Sequence, residues 1–321
     1  MFSMNSYKHL LPGKPYTLWL LIACLLYLLF FANADIFTTR SWREFWDLGH
    51  IPLFVFIGYW IYRLKPYLQT KTLVLQLLIL LVIGSLTGGA IELLQKLTER
   101  QASLSDLMLD LVGISFSLVL FSRKVATLKL HLKLGLYGIC LALLMIVLWK
   151  PVNMVLEEVS AYQTFPVLAE FENDRELSAW TGNASYQLSK EFVREGDYSL
   201  KVTLKKKRYS GVELIYFPRD WSDYTHLQLY VYNESTRLFP LHISVYDRHH
   251  KKIDFPYLDR FTGRYEIKPG WNEVRIAIDQ IEHAPKKRLM DMTDIQGLRL
   301  FRINGQAGKT FYLDSIRLIR E

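Results

Sequence analysis

Cysteine is scarce in this 321-residue chain, in which only Cys24 and Cys140 occur, each within an apolar run. Two cysteines placed in this way do not form a disulfide framework. The chain also has no P-loop, no His-Glu-x-x-His, no Gly-x-Ser-x-Gly elbow and no paired-cysteine motif. The sequence signatures of P-loop nucleotide hydrolysis, zinc proteolysis and serine hydrolysis are therefore missing.

The excess of basic over acidic residues lies almost entirely in the first half of the chain. The formal net charge is +8, and residues 1–150 hold 14 basic and 7 acidic residues, whereas residues 151–321 hold 25 and 24. An excess that falls between apolar runs is typical of membrane topology signals. It argues against a nucleic-acid partner, which needs a basic face on a folded domain.

Long apolar runs dominate the first 150 residues. A bilayer core about 30 Å thick requires about 20 helical residues. Five segments approach that length and predict an all-α transmembrane bundle: 16–32, 48–64, 72–94, 107–121 and 131–149. Membrane lipid is thus an expected partner.

The cations of the loops predict the orientation of the bundle. The N-terminus and loops 63–71 and 123–133 hold nine cations, and the opposite loops hold five. By the positive-inside rule the N-terminus is cytoplasmic, and five spans place the C-terminal half outside the inner membrane. The first segment also resembles a cleavable signal peptide, and both interpretations place Asp35 outside.

Ionisable residues near the outer ends of the spans form pairs that share a helix face. Asp47 with His50 and Glu92 with Gln95 are spaced i, i+3, and Asp106 is followed by Asp110 at i, i+4. Charged residues within a membrane usually pair or serve a pathway, so the pattern favours a functional site. The candidate residues are Asp47, His50, Glu92, Gln95, Arg100, Ser103, Asp106 and Asp110. Alternatively, Lys96 and Arg100 neutralise the acids, and Ser103 with Asp106 forms a helix-capping box.

The same residues carry a family resemblance. Asp47-Leu-Gly-His50, Gly88-Gly-Ala-Ile-Glu-Leu-Leu-Gln95, Arg100-Gln-Ala-Ser-Leu-Ser-Asp106 and Asp110-Leu-Val-Gly113 resemble the VanZ-like family of bacterial membrane proteins over residues 15–122. Asp110 departs from that family, which usually carries asparagine there. The resemblance implies a setting in the cell envelope and a link to glycopeptide-antibiotic tolerance, but it implies no particular reaction.

The second half has the alternation of apolar and polar residues that is typical of a β-sandwich. Seven segments predict strands: 198–204, 211–217, 226–232, 241–246, 272–278, 297–303 and 310–319. Their number and spacing favour an all-β jelly roll. The predicted domains are therefore a transmembrane domain at 1–150, a linker at 151–167 and an extracytoplasmic sandwich at 168–321.

Short motifs in the second half resemble a galactose-binding-like or carbohydrate-binding module. They are Phe171-Glu172, Gly196-Asp-Tyr-Ser-Leu-Lys-Val202, Gly270-Trp-Asn-Glu-Val274 and Phe311-Tyr-Leu-Asp-Ser-Ile316. Sugars stack on aromatic rings, and the candidate rings are Trp180, Trp221, Tyr230, Tyr232, Tyr246 and Tyr257. Tyr230 and Tyr232 are favoured because they alternate with Leu227 and Leu229. The resemblance also suggests a structural calcium ion held by Glu172 and Asp314, and no other cofactor is expected.

Three classes of function remain open from the sequence. The first is a binding protein of the bacterial envelope, whose sandwich holds a glycan and whose membrane cluster engages a lipid-linked wall component. The second is an intramembrane enzyme that uses His50 and Glu92 as base and acid on such a substrate. The third is a purely structural anchor for the sandwich.

Overall fold

The computed structural model describes residues 40–97, 104–252 and 257–321. The first predicted span and the candidates Arg100 and Ser103 lie outside these residues. The chain divides into two compact units, Met1–Met154 and Val155–Glu321.

Unit 1 is helical throughout most of its described length. Its helices are α1 (Arg40–Asp47), α2 (His50–Leu64), α3 (Leu73–Leu97), α4 (Leu104–Phe121), the short α5 (Arg123–Ala126) and α6 (Leu130–Thr164), which continues into unit 2. The segment predicted as a linker at 151–167 is thus helical as far as Thr164. Pro151 lies inside α6 and does not end it.

Three helices of the described chain, α3, α4 and α6, are long and apolar enough to cross a membrane. Leu86 and Leu93 on α3 and Ile146 on α6 are at least 69 % exposed, as expected of side chains that face lipid. The second predicted span is the 15-residue helix α2, which is shorter than the roughly 20 residues that a perpendicular span requires.

Glycines bring α2, α3 and α4 into close contact. A Cβ atom added to Gly58 on α2 would lie 2.0 Å from Ser117 Oγ on α4, and one added to Gly113 on α4 would lie 2.5 Å from the carbonyl oxygen of Ile51 on α2. On α3, a Cβ at Gly84 would lie 2.9 Å from Ile114. Small residues at such positions let helix backbones approach in the absence of a hydrophobic driving force.

Unit 2 is a β-sandwich of two antiparallel sheets. Its strands are β1 (Val167–Ala169), β2 (Trp180–Gly182), β3 (Ser185–Ser189), β4 (Ser199–Thr203), β5 (Tyr209–Leu214), β6 (His226–Asn233), β7 (Phe239–Asp247), β8 (Phe261–Ile267), β9 (Gly270–Ala277), β10 (Ile295–Ile303) and β11 (Thr310–Ile319). Sheet A has the order β3-β4-β11-β6-β9, with β1 also paired to β11, and sheet B has the order β2-β5-β10-β7-β8. From β4 onward the chain changes sheet at almost every connection, as in a jelly roll.

The core lies between the two sheets. Leu200, Leu227 and Leu313 of sheet A and Ile243 and Leu300 of sheet B are all completely buried. The short helices α7 (Arg248–Lys252) and α8 (Ile278–Glu282) lie in the connections that follow β7 and β9. Because side chains alternate along each strand, every second residue faces outward, and the outer faces of the sheets are where a ligand can bind.

Each of the seven predicted strands corresponds to a strand of the structure. Pattern analysis missed β1, β2, β3 and β8. The first two have three residues each, too few to show alternation. In β8, Gly263 and two exposed charged residues weaken the apolar pattern.

Candidate functional site

The predicted polar cluster of unit 1 converges around His50. His50 is the first residue of α2, and its Nδ1 lies 2.8 Å from Asp110 Oδ1 on α4. Its Nε2 lies 4.0 Å from Asp106 Oδ2, one helical turn earlier on α4. Since α2 and α4 both begin at this end of the bundle, the first turn of α2 and the first two turns of α4 carry the three side chains to one place.

Asp110 is enclosed by its neighbours. Its side chain is completely buried, and a Cβ atom added to Gly88 on α3 would lie 2.4 Å from Asp110 Oδ2. Gly88 therefore leaves the space that the carboxylate occupies. In the described part of the chain, Oδ2 has no hydrogen-bond partner.

Glu92 and Gln95 also lie at this end of the bundle. They are 9 % and 4 % exposed on the last turns of α3, and the Glu92 carboxylate is close enough to His50 to act on it electrostatically. Asp47 ends α1, three residues before His50. The arrangement provides one imidazole and at least three carboxylates with which to hold a polar or cationic group.

A second polar network, which the sequence did not reveal, connects the other ends of the same helices. Gln76 Oε1 on α3 accepts hydrogen bonds from Tyr62 Oη on α2 and from Ser122 Oγ after α4, each at 2.8 Å. Gln76 is completely buried, and its Nε2 donates to the carbonyl oxygen of Lys71 at 2.9 Å. This network satisfies its polar groups internally and holds the three helices in register.

The six aromatic candidates of unit 2 separate into three groups. Trp180 and Trp221 are 4 % and 0 % exposed within the core, so they offer no ring to a ligand. They are large apolar residues, and burial in the core is their usual place. Tyr230 and Tyr232 face outward from sheet A, and Tyr246 and Tyr257 lie on the side of sheet B.

The outer face of sheet A is occupied in part by the chain itself. The loop 190–198 crosses it, and Phe192 stacks on Tyr232 with ring centroids 4.0 Å apart. The guanidinium of Arg194 lies 5.1 Å from the Tyr230 ring centroid. The two tyrosines that the alternation favoured therefore face outward as predicted, but they contact residues of this loop.

The outer face of sheet B combines rings with a charged pair. Arg299 on β10 and Glu213 on β5 are register partners, with Arg299 Nε 2.9 Å from Glu213 Oε2. Tyr246 on β7 donates its hydroxyl hydrogen to Glu213 Oε1, and the Arg299 guanidinium lies 4.7 Å from the Tyr246 ring centroid. Burial, together with the Glu213 carboxylate, raises the pKa of Tyr246, so its hydroxyl remains a donor.

Gly297 explains how Tyr246 reaches Glu213. Gly297 on β10 and Tyr246 on β7 are register partners, and a Cβ atom added to Gly297 would lie 2.5 Å from Tyr246 Oη. The tyrosine ring therefore lies flat across β10, where any larger residue would displace it. Tyr246 is only 1 % exposed, so it supports the face rather than offering a stacking surface.

A row of more exposed rings lies beside this pair. His242 on β7 stacks with Phe301 on β10 at 5.4 Å between centroids, and Tyr209 on β5 meets Phe301 edge to face at 5.9 Å. Tyr209 is 48 % exposed. Burial and the nearby Arg264 lower the pKa of His242, so its imidazole is neutral near pH 7 and can donate and accept hydrogen bonds.

Arg260 and Tyr257, which follow the undescribed residues 253–256, border the same face. The Arg260 guanidinium lies 5.5 Å from the Tyr257 ring centroid and is close enough to Arg299, Tyr209 and Glu213 to interact with them. Arg260 Nε is buried without a hydrogen-bond partner in the described chain. Burial and Arg299 lower the pKa of this arginine.

Sequence reasoning did not find Glu213, Arg299, His242 or Phe301. Glu213 and Arg299 did carry a signal, since they alternate with buried residues in the predicted strands 211–217 and 297–303. What the sequence did not contain was the register that places Arg299 opposite Glu213 and Phe301 opposite His242.

Glu172 and Asp314, the predicted calcium ligands, both bind the loop 190–198. Glu172 accepts hydrogen bonds from the amides of Asp197 and Tyr198 at 3.0 and 3.2 Å. Asp314 Oδ2 accepts from the amides of Arg194 and Glu195 at 2.7 and 3.3 Å. The two carboxylates thus anchor one loop through its backbone, which is a role that requires no metal.

Asp314 retains one oxygen that amides do not use. Its side chain is completely buried, and Oδ1 has no hydrogen-bond partner in the described residues. Burial raises the pKa of this carboxyl to about 6, against the opposing effect of the amide hydrogen bonds. Calcium at this position stays a prediction. Among the described residues, the carboxylate and imidazole groups close enough to share an ion are Asp279, Glu282 and His283, on and beside the short helix α8.

Comparisons with known proteins relate only the sandwich to solved structures. No family model matches the chain, and no curated protein matches it. A family 11 carbohydrate-binding module from Clostridium thermocellum, in complex with a β-1,3-1,4-mixed-linked tetrasaccharide, is 13 % identical with a TM-score of 0.36, covering 48 % of this chain and 94 % of its own.

Two further solved structures show the same range of similarity. The CBM22-1 xylan-binding domain from Paenibacillus barcinonensis is 14 % identical with a TM-score of 0.33, covering 49 % of this chain and 95 % of its own. An exo-β-agarase is 19 % identical with a TM-score of 0.38, but the match covers 48 % of this chain and only 25 % of the agarase. Similarity at this level assigns no ligand to this chain.

Proposed function

We propose that this chain is a membrane-anchored glycan-binding protein whose sandwich holds a glycan on the outer face of sheet B. The observation that carries the proposal is the Tyr246–Glu213–Arg299 network beside the Phe301 and Tyr209 rings. Rings offer stacking surfaces for the apolar faces of sugars, and the charged pair offers donors and acceptors for their hydroxyl groups. Because Glu213 and Arg299 are held by each other and by Tyr246, little side-chain entropy is lost when a sugar binds.

Sheet A is the weaker candidate for the same role. Its outward rings Tyr230 and Tyr232 already contact Arg194 and Phe192 of the loop 190–198. A glycan on sheet A would have to displace this loop, which Asp314 and Glu172 hold through backbone hydrogen bonds. On sheet B the Tyr209 ring, which meets Phe301 edge to face, is 48 % exposed.

The proposal is tested with the full chain in a detergent that lacks a sugar headgroup, because maltoside and glucoside detergents would compete. The protein is applied to an array of neutral and acidic glycans, together with Arg299→Met. Arg275→Met is the matched control, since Arg275 forms a similar pair with Glu273 at 2.6 Å on the outer face of sheet A. We expect the wild-type chain to bind at least one glycan. Arg299→Met should weaken that binding by about tenfold or more, as for a desolvated charged group, and Arg275→Met should bind as wild type does. No binding to any glycan, or equal loss in both variants, contradicts the proposal.

A second function is favoured by the geometry around His50. We propose that the cluster formed by His50, Asp106, Asp110 and Glu92 engages the polar end of a lipid-linked envelope molecule, with the sandwich outside the cytoplasm. Its support is the 2.8 Å contact of His50 with a fully buried carboxylate. Intramembrane ionisable groups of this kind usually mark a pathway or a binding site.

This second proposal covers both a binding and a catalytic role for the cluster. Glu92→Gln keeps the shape of the side chain and removes its charge. We expect cells with this variant to differ from wild-type cells in lipid-linked envelope intermediates and in glycopeptide tolerance. If both readouts match wild type at equal protein level, the cluster is structural, as in the anchor alternative.

A further inference from the structure

Residues 151–321 are nearly neutral in total, with 25 basic and 24 acidic residues, but positive charge is concentrated at one end of the sandwich. Five loops meet there and together form what we call the basic end: 183–184, 204–208, 234–238, 268–269 and 304–309. They contain seven cations and one acid. The cations are Lys205, Lys206, Lys207, Arg208, Arg237, Lys268 and Lys309. The described loops at the other end, 170–179, 190–198, 215–225, 248–252, 257–260 and 278–294, contain 11 basic and 14 acidic residues.

The cations of the basic end are exposed and not neutralised by acids. All seven have exposed side chains, and none forms an ion pair within the described residues, whereas pairs are frequent in the other loops. The one acid, Glu234, accepts a hydrogen bond from Thr310 Oγ1. Exposed like charges in proximity repel one another, and an anionic partner would relieve that repulsion.

The backbone holds these cations in place. Loops 204–208 and 304–309 are joined by four backbone hydrogen bonds, among them Leu204 N to Lys309 O at 2.8 Å and Asn304 N to Arg208 O at 2.7 Å. Gly305 is required for this contact, since an added Cβ would lie 2.7 Å from the carbonyl oxygen of Lys205. The amide of Lys205 also donates to Ser210 Oγ at 2.8 Å. Residues 205–208, which we call the lysine turn, are therefore held in a fixed position.

The basic end is continuous with the outer face of sheet B. The Tyr209 ring contacts Phe301 on that face. The guanidinium of Arg208, in the loop 204–208, lies 5.4 Å from the centroid of the same ring. A chain molecule lying across Phe301 and Tyr209 thus reaches the lysine turn without leaving the surface. Charge complementarity then favours anionic groups on that molecule.

The same surface is less suited to a lipid bilayer. Among the five loops, Leu238 is the exposed large apolar side chain, at 60 % exposure, and insertion into a membrane interface requires a larger apolar surface. The chain also enters the sandwich at the opposite end, where Leu318 N donates to Pro166 O at 3.0 Å. The basic end and the point at which the chain enters the sandwich thus lie at opposite ends of unit 2.

From these observations we infer that the glycan is an acidic polysaccharide, whose regularly spaced carboxylate or phosphodiester groups bind the basic end while its sugar rings lie on sheet B. The inference rests on the proposed glycan-binding function and names the class of its ligand. Lys206, Lys207 and Arg208 on the lysine turn provide the charge contacts, and Lys309 provides one from the adjoining loop. Binding of this kind is sensitive to salt, because it releases the counterions of the polymer.

The test uses the full chain in a detergent without sugar, at about 0.1 M salt, where charges more than about 10 Å apart are screened. The probes are polygalacturonate for carboxylates, poly(glycerol phosphate) for phosphodiesters, a neutral mixed-linked β-glucan, and vesicles of phosphatidylcholine with phosphatidylglycerol. The variant is Lys206→Glu with Lys207→Glu. The matched control is Lys286→Glu with Lys287→Glu, which changes charge equally in an exposed loop at the opposite end.

We expect at least one acidic polymer to bind more tightly than the neutral glucan, and the Lys206/Lys207 variant to lose about tenfold or more of that affinity with a shallower salt dependence. The control variant and neutral-glucan binding should be unchanged. Equal affinity for neutral and acidic polymers, equal loss in both variants, or binding only to anionic vesicles overturns the inference. A third outcome separates the two proposals. If acidic-polymer binding requires the lysine turn but is unaffected by Arg299→Met, the proposed sheet B site is contradicted and the basic end is supported as the binding surface.

Discussion

Arg299 and Glu213 face each other across β10 and β5, with Arg299 Nε 2.9 Å from Glu213 Oε2. The pair does not stand alone, because the Tyr246 hydroxyl donates to the same carboxylate. The Arg299 and Glu213 side chains are 27 % and 16 % exposed, so the pair is partly buried and is held in one geometry on the outer face of the sheet. The proposal of a glycan site on sheet B rests on this relationship.

The close packing of Gly88 predicts that alanine substitutions at Gly88 and at its neighbour Gly89 have opposite effects on the stability of unit 1. In Gly88→Ala, the new Cβ would lie 2.4 Å from Asp110 Oδ2, whereas in Gly89→Ala no atom lies within 4 Å of it. We expect Gly88→Ala to destabilise unit 1 by about 1–3 kcal/mol through overpacking. Gly89→Ala should stabilise it slightly, by roughly 0.5–1 kcal/mol, through helix propensity. Thermal unfolding in detergent measures both, and equal effects would contradict the described contact.

The hydrogen bond between His50 and Asp110 predicts that shape matters more than charge for stability. Asp110→Asn keeps an oxygen that can accept from His50 Nδ1. Asp110→Ala leaves the buried imidazole without this partner and should cost roughly 2–4 kcal/mol from the lost hydrogen bond and the cavity. We expect the unfolding temperature of Asp110→Asn to be close to that of wild type and the unfolding temperature of Asp110→Ala to be well below both. Similar losses in both variants would show that the negative charge itself is required.

Asp314 predicts a dependence of stability on pH. Burial raises its pKa to about 6 in the folded state, above the value of about 3.9 in an unfolded chain. The folded state therefore binds a proton more tightly, and this residue's contribution is fully present below about pH 4 and is lost as pH rises through 6. Asp314→Asn removes the titrating group. The free energy of unfolding of the variant, relative to that of wild type, should therefore rise by up to roughly 3 kcal/mol between pH 4 and pH 7.

Chemical unfolding of wild type and Asp314→Asn at pH 4, 5, 6 and 7 measures this difference. Asp174→Asn, at an exposed position, is the matched control and should show no such trend. The series is repeated with calcium, since an ion at Asp314 would favour the charged carboxylate and abolish the gain of the variant. A stability difference that is independent of pH without calcium would contradict the role given to burial.

The sequence contained enough to predict the two-part architecture and much of unit 1's cluster. Helical spacing alone put Asp106 and Asp110 on one face, and the structure brings both to His50. Their meeting depends on α2 and α4 beginning at the same end of the bundle, because α3 runs in the opposite direction between them. The side chains of Arg100 and Ser103 lie outside the described residues, so their predicted parts in the cluster stay predictions.

The site in unit 2 was beyond what alternation can reveal. A period of two separates inward from outward residues, and it placed Tyr230 and Tyr232 outward correctly. It gives neither the pairing of strands nor the path of a loop such as 190–198, which lies over those tyrosines. The choice between sheet A and sheet B therefore depends on contacts between residues far apart in the chain, such as Glu213 and Arg299.

Titration of the full chain, Phe301→Ala and Tyr232→Ala with the glycan that binds best distinguishes between sheet B and sheet A as the binding site. Phe301 stands on the outer face of sheet B and Tyr232 on that of sheet A, and both substitutions remove a partly exposed ring. We expect Phe301→Ala to lose about 1–3 kcal/mol of binding free energy, as for a stacking ring at a binding hot spot, and Tyr232→Ala to bind as wild type does. Loss in Tyr232→Ala with wild-type affinity in Phe301→Ala would move the site to sheet A and contradict the account.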